Sequence, residues 1–169
     1  EQDCMRIFIG KTVRSETARI EAETGKPLTD AWMAEFYERR NERLRAELVA
    51  IGGAVDAVRQ VHAQLGGKIA VASGADKHKV GVSAYFGEHV FSGHDLPRTK
   101  PWPDVYLAAA ASLGIAPERC LVIEDSVPGL TAGVRAGATV WGYCPKVNAH
   151  STPEQLLQAG ASMVFDDMA

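Results

Sequence analysis

The stretch from Cys120 to Gly142 constrains the fold of this chain more than any other part of its sequence. It holds an apolar run that ends at Ile123, then two adjacent carboxylates, then a small-residue segment that starts near Pro128 and closes at Gly137, and finally a second apolar run. This order predicts a strand, a turn, a helix and a second strand, which is the unit that builds parallel sheets. A chain that contains it is expected to fold as an α/β protein.

The two carboxylates, Glu124 and Asp125, follow directly after the first of these predicted strands. In open parallel sheets ligands bind at the edge where the strands end. Adjacent acids at that edge are suited to holding a hard cation such as Mg²⁺. They could instead simply cap the N-terminus of the following helix, where negative charge is also favourable. The pair alone leaves both interpretations open.

Composition excludes several classes of protein. The chain has 169 residues, 46% of them apolar, and a net charge of −3, which is typical of a globular domain and not of a nucleic-acid-binding protein. No apolar run approaches the length needed to span a membrane. Its cysteines (Cys4, Cys120 and Cys144) lack the spacing of a metal site and suit buried thiols in a reducing compartment. We expect a cytoplasmic protein without nucleic-acid or membrane partners, and the sequence does not reveal its oligomeric state.

Two regions of different character follow one another along the chain. From about residue 12 to residue 48 the pattern is helical, with short and long helices predicted over 17–24 and 30–48 and with Asp30 as the N-cap of the long one. One stripe of that long helix is apolar: Met33, Phe36, Tyr37, Leu44 and Leu48. The pattern breaks at Gly52 and Gly53, which suggests a linker. We therefore predict two domains, a helical one over 1–48 and an α/β one over 49–169.

Short apolar runs alternate with helical segments throughout the second region, which predicts an open parallel sheet with helices between its strands. The predicted strands are 68–72, 89–92, 120–123, 139–142 and 162–165. The predicted helices are 54–65, 103–113, 128–136 and 153–159.

Polar side chains stand where several of these strands end. Ser73 and Gly74 follow the first strand, and a hydroxyl beside free backbone N–H groups can cradle an anion. Lys100 precedes Pro101, which favours an extended backbone and holds the lysine at the start of the next helix. With the acidic pair, these groups suit a phosphoryl group and its metal. The alternative is that these residues have no functional role, because small polar residues often fill such turns and most lysines are solvated.

The order of these motifs, from VASG through RTKPWPDVY to VIEDSVPG, resembles that of the haloacid dehalogenase superfamily. Ser73 matches its second motif, Lys100 its third, and the pair of Glu124 and Asp125 its fourth. The helical region before the linker resembles the cap of the β-phosphoglucomutase-like branch. The resemblance runs over essentially the whole chain, and its fourth motif with the following AGVRAGA helix is its most specific part.

This resemblance implies a Rossmann-like core with a partial helical cap and an Mg²⁺-dependent phosphatase of small phosphorylated metabolites, such as sugar or sugar-acid phosphates. It also implies an aspartyl-phosphate intermediate. Lys100 and Ser73 would be catalytic, and Gly74 and Lys11 would join them in binding phosphate. Asp125 and Glu124 would hold the metal, because an acidic fourth motif favours metal-dependent phosphoryl transfer over dehalogenation.

The chain departs from the family pattern in two places. The first motif of the family, Asp-x-Asp, supplies the nucleophile, but Asp3 is followed by Cys4 and Met5 and no such motif precedes the helical region. The segment around residues 80–81 is also shorter than a full helix, by about seven residues or two turns. We therefore expect a fragment of a longer protein, inactive and poorly folded when made alone, because the family places the missing strand at the centre of its sheet.

Three other readings remain open. A phosphorylated receiver domain also has a doubly wound sheet, an acidic pair and a lysine, but in the reverse order along the chain. A phosphomutase would need further cations to hold a bisphosphate, for which Lys11, Arg14 and Arg98 are candidates. A noncatalytic binding module would keep the fold without the first motif and would have no turnover.

Overall fold

The computed structural model describes residues 13–74 and 83–169. The chain divides into two compact units, one ending at Ala50 and the other beginning at Ile51. The segment around residues 80–81, which the sequence predicts to be shorter than a full helix, lies outside the described residues. No helix in the described part of the chain combines the length and the apolar composition that crossing a membrane requires.

The first unit contains a 3₁₀ turn at Arg14–Glu16 and two helices, α1 (Thr17–Thr24) and α2 (Asp30–Glu47). The predicted N-cap of α2 is wrong by one residue, since the Thr29 hydroxyl accepts the hydrogen bond from the Trp32 amide, at 3.2 Å, and Asp30 is already helical.

The apolar stripe predicted for α2 is only partly buried. Met33 is buried and the ring of Phe36 stacks on that of Trp32 at 5.3 Å, but Leu44 is exposed and Leu48 is 68% exposed. The stripe therefore packs in its first half alone. Arginines on the outer surface of α2 pair with glutamates one turn away, as in the contact of Arg39 with Glu35 at 2.8 Å.

The second unit alternates helices and strands, as predicted. Its helices are α3 (Ala54–Gln64), α4 (Ser83–Phe86), α5 (Asp104–Leu113), α6 (Val127–Arg135) and α7 (Pro153–Gln158). Its strands are β1 (Val71–Ser73), β2 (Val90–Ser92), β3 (Leu121–Glu124), β4 (Thr139–Tyr143) and β5 (Met163–Phe165). Short 3₁₀ turns lie at Gly93–Asp95 and Pro117–Arg119.

Every pairing between these strands is parallel, which confirms the predicted fold class. The described strands form two sheets, β1-β2 and β3-β4-β5, and not one continuous sheet. The first strand begins later than predicted because Lys68 and Ile69 still belong to a turn: their amides bond the carbonyls of Leu65 and Gly67 at 3.2 and 2.8 Å.

The core of this unit lies between β3-β4 and the helices that cover one of its faces. Val105, Leu130, Val140 and Leu156 are almost completely buried there. Helix α6 approaches the sheet closely at Gly133, where an added Cβ would lie 2.8 Å from a methyl group of Val140. This packing fixes where α6 begins, and its first turn lies directly after the end of β3.

Candidate active site

Glu124, the last residue of β3, is the centre of a buried hydrogen-bond network. Its Oε1 accepts hydrogen bonds from the ammonium of Lys100 and the hydroxyl of Tyr106. Its Oε2 accepts from the Ser126 hydroxyl at 3.1 Å. The residue is 8% exposed, and a buried carboxylate is costly unless it is bonded in this way. The contacts with Lys100, Tyr106 and Ser126 therefore satisfy this carboxyl group and hold it at the end of the strand.

Lys100 joins the carboxyl ends of the two sheets. Its Nζ donates to the carbonyl of Ala72 in β1, at 3.1 Å, as well as to Glu124 at the end of β3. Its side chain is 17% exposed, and the following peptide bond to Pro101 is cis. The ammonium is thus fixed at the edge where both sheets end and is not a solvated surface charge. The structure therefore brings Lys100 to Glu124, while its catalytic and phosphate-binding roles stay predictions.

Tyr106, in the first turn of α5, contacts both members of this ion pair. Its hydroxyl donates to Glu124, and the Lys100 ammonium lies 5.0 Å from the centre of its ring. Burial raises the pKa of Tyr106 well above its ordinary value of 10.0, and the negative charge of Glu124 raises it further. The phenol therefore stays protonated and remains a hydrogen-bond donor over the whole physiological range.

This pKa shift predicts an alkaline weakening of the fold. Above about pH 10 the unfolded tyrosine loses its proton while the folded one keeps it, so the free energy of unfolding falls as pH rises, by up to about 1.4 kcal/mol per pH unit. Below that pH both states are protonated and Tyr106 adds no pH dependence. Urea unfolding at about pH 9 and about pH 11 should therefore show a larger loss in the wild type than in Tyr106→Phe. Equal losses in the two proteins would contradict the assignment.

Ser126 connects the acidic pair to helix α6. It is the N-cap of that helix, since its hydroxyl accepts from the Gly129 amide at 3.2 Å while donating to Glu124. The alternative that Glu124 or Asp125 caps this helix is therefore wrong, because the serine occupies the capping position. Pro128 is helical, and α6 begins one residue earlier than predicted, at Val127.

Gly129 makes room for the Glu124 carboxylate over the first turn of α6. A Cβ built at Gly129 would overlap that carboxyl group. Alanine ordinarily stabilises a helix by about 1 kcal/mol relative to glycine. Here we expect Gly129→Ala to destabilise the protein by about 1–3 kcal/mol, because the buried carboxylate must move.

Thermal and urea unfolding test this prediction, with Gly52→Ala as the control. An added Cβ at Gly52 meets no atom within 4 Å, so the free energy of unfolding should change by less than about 0.5 kcal/mol. A Gly129→Ala protein as stable as the control would show that the carboxylate does not need this space.

Asp125 stands outside the buried network. Its side chain is 47% exposed, and its Oδ2 lies 3.9 Å from the Nε2 of His150. Together with Glu124 it presents carboxylate oxygens, the donors that Mg²⁺ prefers. In residues 13–74 and 83–169, no group of three histidine, cysteine or acidic side chains is placed to hold a metal ion. The two carboxylates alone could supply only some of the ligands that a magnesium ion needs.

Comparison with known proteins agrees with this arrangement. The model of the haloacid dehalogenase-like hydrolases matches residues 2–137. The chain belongs to the haloacid dehalogenase-like hydrolase family. The family predicted from its motifs is thereby confirmed.

Individual relatives resemble the chain over different lengths. It is 35% identical over 75 residues to the 6-phosphogluconate phosphatase of Escherichia coli strain K12, which is 44% of this chain and 33% of that protein. A crystal structure of a family hydrolase from Deinococcus radiodurans R1, with bound phosphate and sodium, is 30% identical with a TM-score of 0.73, over 95% of this chain and 73% of that one. The chain spans 14–56% of the length of several curated relatives that it matches.

The fold is also that of the β-phosphoglucomutase-like branch. A crystal structure from Thermotoga maritima, provisionally described as a β-phosphoglucomutase, has a TM-score of 0.77 at 21% identity and covers 99% of this chain and 80% of that one. At 21% identity this similarity shows the fold of the dehalogenase-like chain and says nothing about its substrate.

The structure places some of the other predicted phosphate ligands of this haloacid dehalogenase-like chain and leaves one undescribed. Ser73 ends β1 directly after Ala72, the residue whose carbonyl Lys100 contacts, and it pairs in register with Ser92. Gly74 follows it and is exposed. Lys11 lies outside the described residues. The structure therefore brings Ser73 to the edge that holds Lys100, while the part of Lys11 stays a prediction.

Three residues of the network were missed by the sequence reasoning: Tyr106, Ser126 and Gly129. Ser126 carried a usable signal, because a serine immediately before a Val-Pro helix start is a typical N-cap. Tyr106 and Gly129 carried none that could be recognised, since their contacts with Glu124 depend on how α5 and α6 pack against β3.

Proposed function

We propose that the complete protein is an Mg²⁺-dependent phosphatase that hydrolyses small phosphorylated metabolites, such as sugar or sugar-acid phosphates. The observation that supports this most is the position of the Lys100 ammonium, which is held between the Ala72 carbonyl and the Glu124 carboxylate, near the end of both sheets. A fixed cation beside two acids suits a phosphoryl group, whose charge must be neutralised during transfer. The phosphate bound to the Deinococcus relative and the name of the Escherichia coli relative point the same way.

Each residue has a role in this proposal. Lys100 neutralises negative charge on the attacking carboxylate and on the transferring group. Ser73 donates its hydroxyl proton to a phosphoryl oxygen, and the backbone N–H of Gly74 adds a second donor. Tyr106 and Ser126 orient the Glu124 carboxylate through their hydrogen bonds to it.

Asp125 is the proposed principal ligand of Mg²⁺, since its carboxylate is accessible at the edge. Glu124 contributes directly or through a water molecule, because its oxygens already accept hydrogen bonds from the protein. The remaining ligands would be water, phosphate oxygens and a carboxylate from upstream of Glu1. The ion would supply charge neutralisation at the phosphoryl oxygens.

The nucleophile is proposed to be an aspartate of an Asp-x-Asp motif upstream of Glu1. Its oxygen would form a bond to phosphorus as the bond to the substrate's ester oxygen breaks, and water would then hydrolyse the aspartyl-phosphate. Among the described carboxylates beside Lys100, Glu124 already accepts hydrogen bonds from Lys100, Tyr106 and Ser126, and Asp125 is assigned to the metal. The helical unit over 1–48 is proposed to be part of a cap domain.

A comparison of two proteins tests the proposal: the complete reading frame and the 169 residues alone. We expect the complete protein to hydrolyse members of a panel of sugar and sugar-acid phosphates with Mg²⁺ and to lose this activity in EDTA. The 169 residues alone should show no activity above background and poor cooperativity in thermal unfolding, and adding the upstream segment should restore both. Turnover by the 169-residue chain would place the nucleophile within it.

The alternatives are less well supported by the contacts of this chain. A phosphomutase needs additional cations, but Arg98 is already paired with Asp104 through two hydrogen bonds of 3.1 and 2.9 Å. A binding module would bind inorganic phosphate without turnover. The same panel separates the three functions, because a mutase would yield an isomeric phosphate ester and a binding module would yield no product.

A further inference from the structure

The loop that carries Lys100, residues 98–104, is closed on itself by strong contacts. The guanidinium of Arg98 makes two hydrogen bonds to Asp104, the first residue of α5. Within the loop, the Trp102 amide donates to the Thr99 carbonyl at 3.0 Å. These contacts fix the two ends of the loop around Lys100 but do not by themselves orient it relative to β3.

Arg135, the last residue of α6, contacts the same loop from another element. Its Nη1 donates to the Pro101 carbonyl at 3.0 Å, directly after Lys100 in the chain. Its guanidinium carbon lies 5.3 Å from the centre of the Trp102 ring, and that of Arg98 lies 4.6 Å from the same ring. The indole therefore contacts both arginines, each at a distance typical of a cation–π interaction.

Helix α6 and its N-cap consequently contact one member of the ion pair, Glu124, and the backbone next to the other, Lys100. At its start, Ser126 bonds the Glu124 carboxylate. At its end, Arg135 bonds the backbone beside Lys100. Because a helix is a stiff spacer, these two contacts tie the backbone beside Lys100 to the Glu124 side chain, in addition to the direct contact between the ammonium and the carboxylate.

We infer that Arg135 and Trp102 are positioning residues for Lys100, acting through the Pro101 carbonyl and the 98–104 loop. Neither side chain touches the ammonium itself. The catalytic consequence rests on the proposed function of Lys100, whereas the structural consequence does not. Losing the Arg135 contact should let the loop move and should expose the ammonium, and a displacement of about 1 Å at a reacting group can cost up to about a hundredfold in rate.

Site-resolved acetylation tests the structural consequence in the complete protein. Amine-reactive acetylation is measured by mass spectrometry at Lys100 and, as an internal standard, at Lys146, whose side chain is 83% exposed. We expect Arg135→Ala and Trp102→Leu to raise Lys100 labelling relative to Lys146 at least about threefold, and Arg135→Lys, which keeps a donor for the Pro101 carbonyl, to restore most of the protection. Arg59→Ala is the matched control, since Arg59 is an exposed, ion-paired arginine on α3.

Steady-state kinetics on a phosphate ester test the catalytic consequence. We expect kcat of Arg135→Ala to fall about tenfold with KM within about twofold, since a displaced Lys100 acts on the transition state. Absence of activity in the wild type would refute the proposed function alone, because the labelling experiment needs no turnover. The inference would be overturned if Lys100 were labelled at the wild-type ratio in Arg135→Ala and Trp102→Leu. It would also be overturned if the labelling of Lys100 rose only because both variants had lost cooperative unfolding.

Discussion

Asp125→Ala in the complete protein is expected to abolish Mg²⁺-dependent turnover and to leave the fold intact. The side chain is half-exposed and takes no part in the buried network around Glu124, so its loss should change the free energy of unfolding by less than about 0.5 kcal/mol. Its proposed role is to bind the cation, and Glu124 is too fully engaged with Lys100, Tyr106 and Ser126 to replace it. Rates measured over a titration of Mg²⁺, together with thermal unfolding, check both parts.

Asp166→Ala is the matched control for this experiment. Asp166 follows β5, its side chain is 49% exposed, and it pairs with Lys146 at 3.2 Å. Removing it takes away a carboxylate of similar exposure from the same unit and should leave the rate unchanged. Activity of Asp125→Ala within a few-fold of the wild type would exclude Asp125 as a metal ligand.

Lys100→Ala is expected to lower the rate by two or more orders of magnitude, which corresponds to about 3 kcal/mol or more of transition-state stabilisation. Without the ammonium, the negative charges of the nucleophile and the phosphoryl group are no longer neutralised by the protein at this edge. The substitution also leaves Glu124 with Tyr106 and Ser126 as its donors, which should cost about 1–3 kcal/mol of stability. Single-turnover rates and urea unfolding separate the two effects.

Lys146→Ala provides the comparison, because Lys146 is a largely exposed lysine with an acidic partner. Exposed pairs of this kind contribute little to stability, so both rate and stability should be nearly unchanged. If Lys100→Ala behaved in the same way, Lys100 would be an ordinary surface residue and the proposed mechanism would fail.

The parts of the fold that local patterns determine could be predicted from the sequence. The strand that ends at Glu124 and the helix that ends at Arg135 lie within one residue of their predicted bounds, because an apolar run and a small-residue segment mark them. The N-cap of α2 was missed by one residue, since Thr29 and Asp30 are both good capping residues and only the backbone geometry chooses between them.

The candidate site could be predicted only in part, for a physical reason. Lys100 and Glu124 each end or follow a strand, and parallel strands bring such residues to one edge. The contact of Tyr106 with Glu124 depends instead on the rotation of α5 against the sheet, and the space left by Gly129 depends on how closely α6 packs. These are properties of tertiary packing, which no pattern within one segment contains.

The position of Ser126 has a consequence for how the site is formed during folding. One hydroxyl both caps helix α6 and donates to the Glu124 carboxylate, so opening of the first helical turn is expected to disturb that carboxylate as well. We expect helix formation and assembly of the candidate site to be coupled, and the Gly129 amide reports on this coupling. The protection of this amide from hydrogen exchange should correspond to the free energy of opening the surrounding core. It should exceed the protection that is typical of a fraying helix end. A partly folded form in which this turn is open is therefore expected to leave the Glu124 carboxylate without its Ser126 donor.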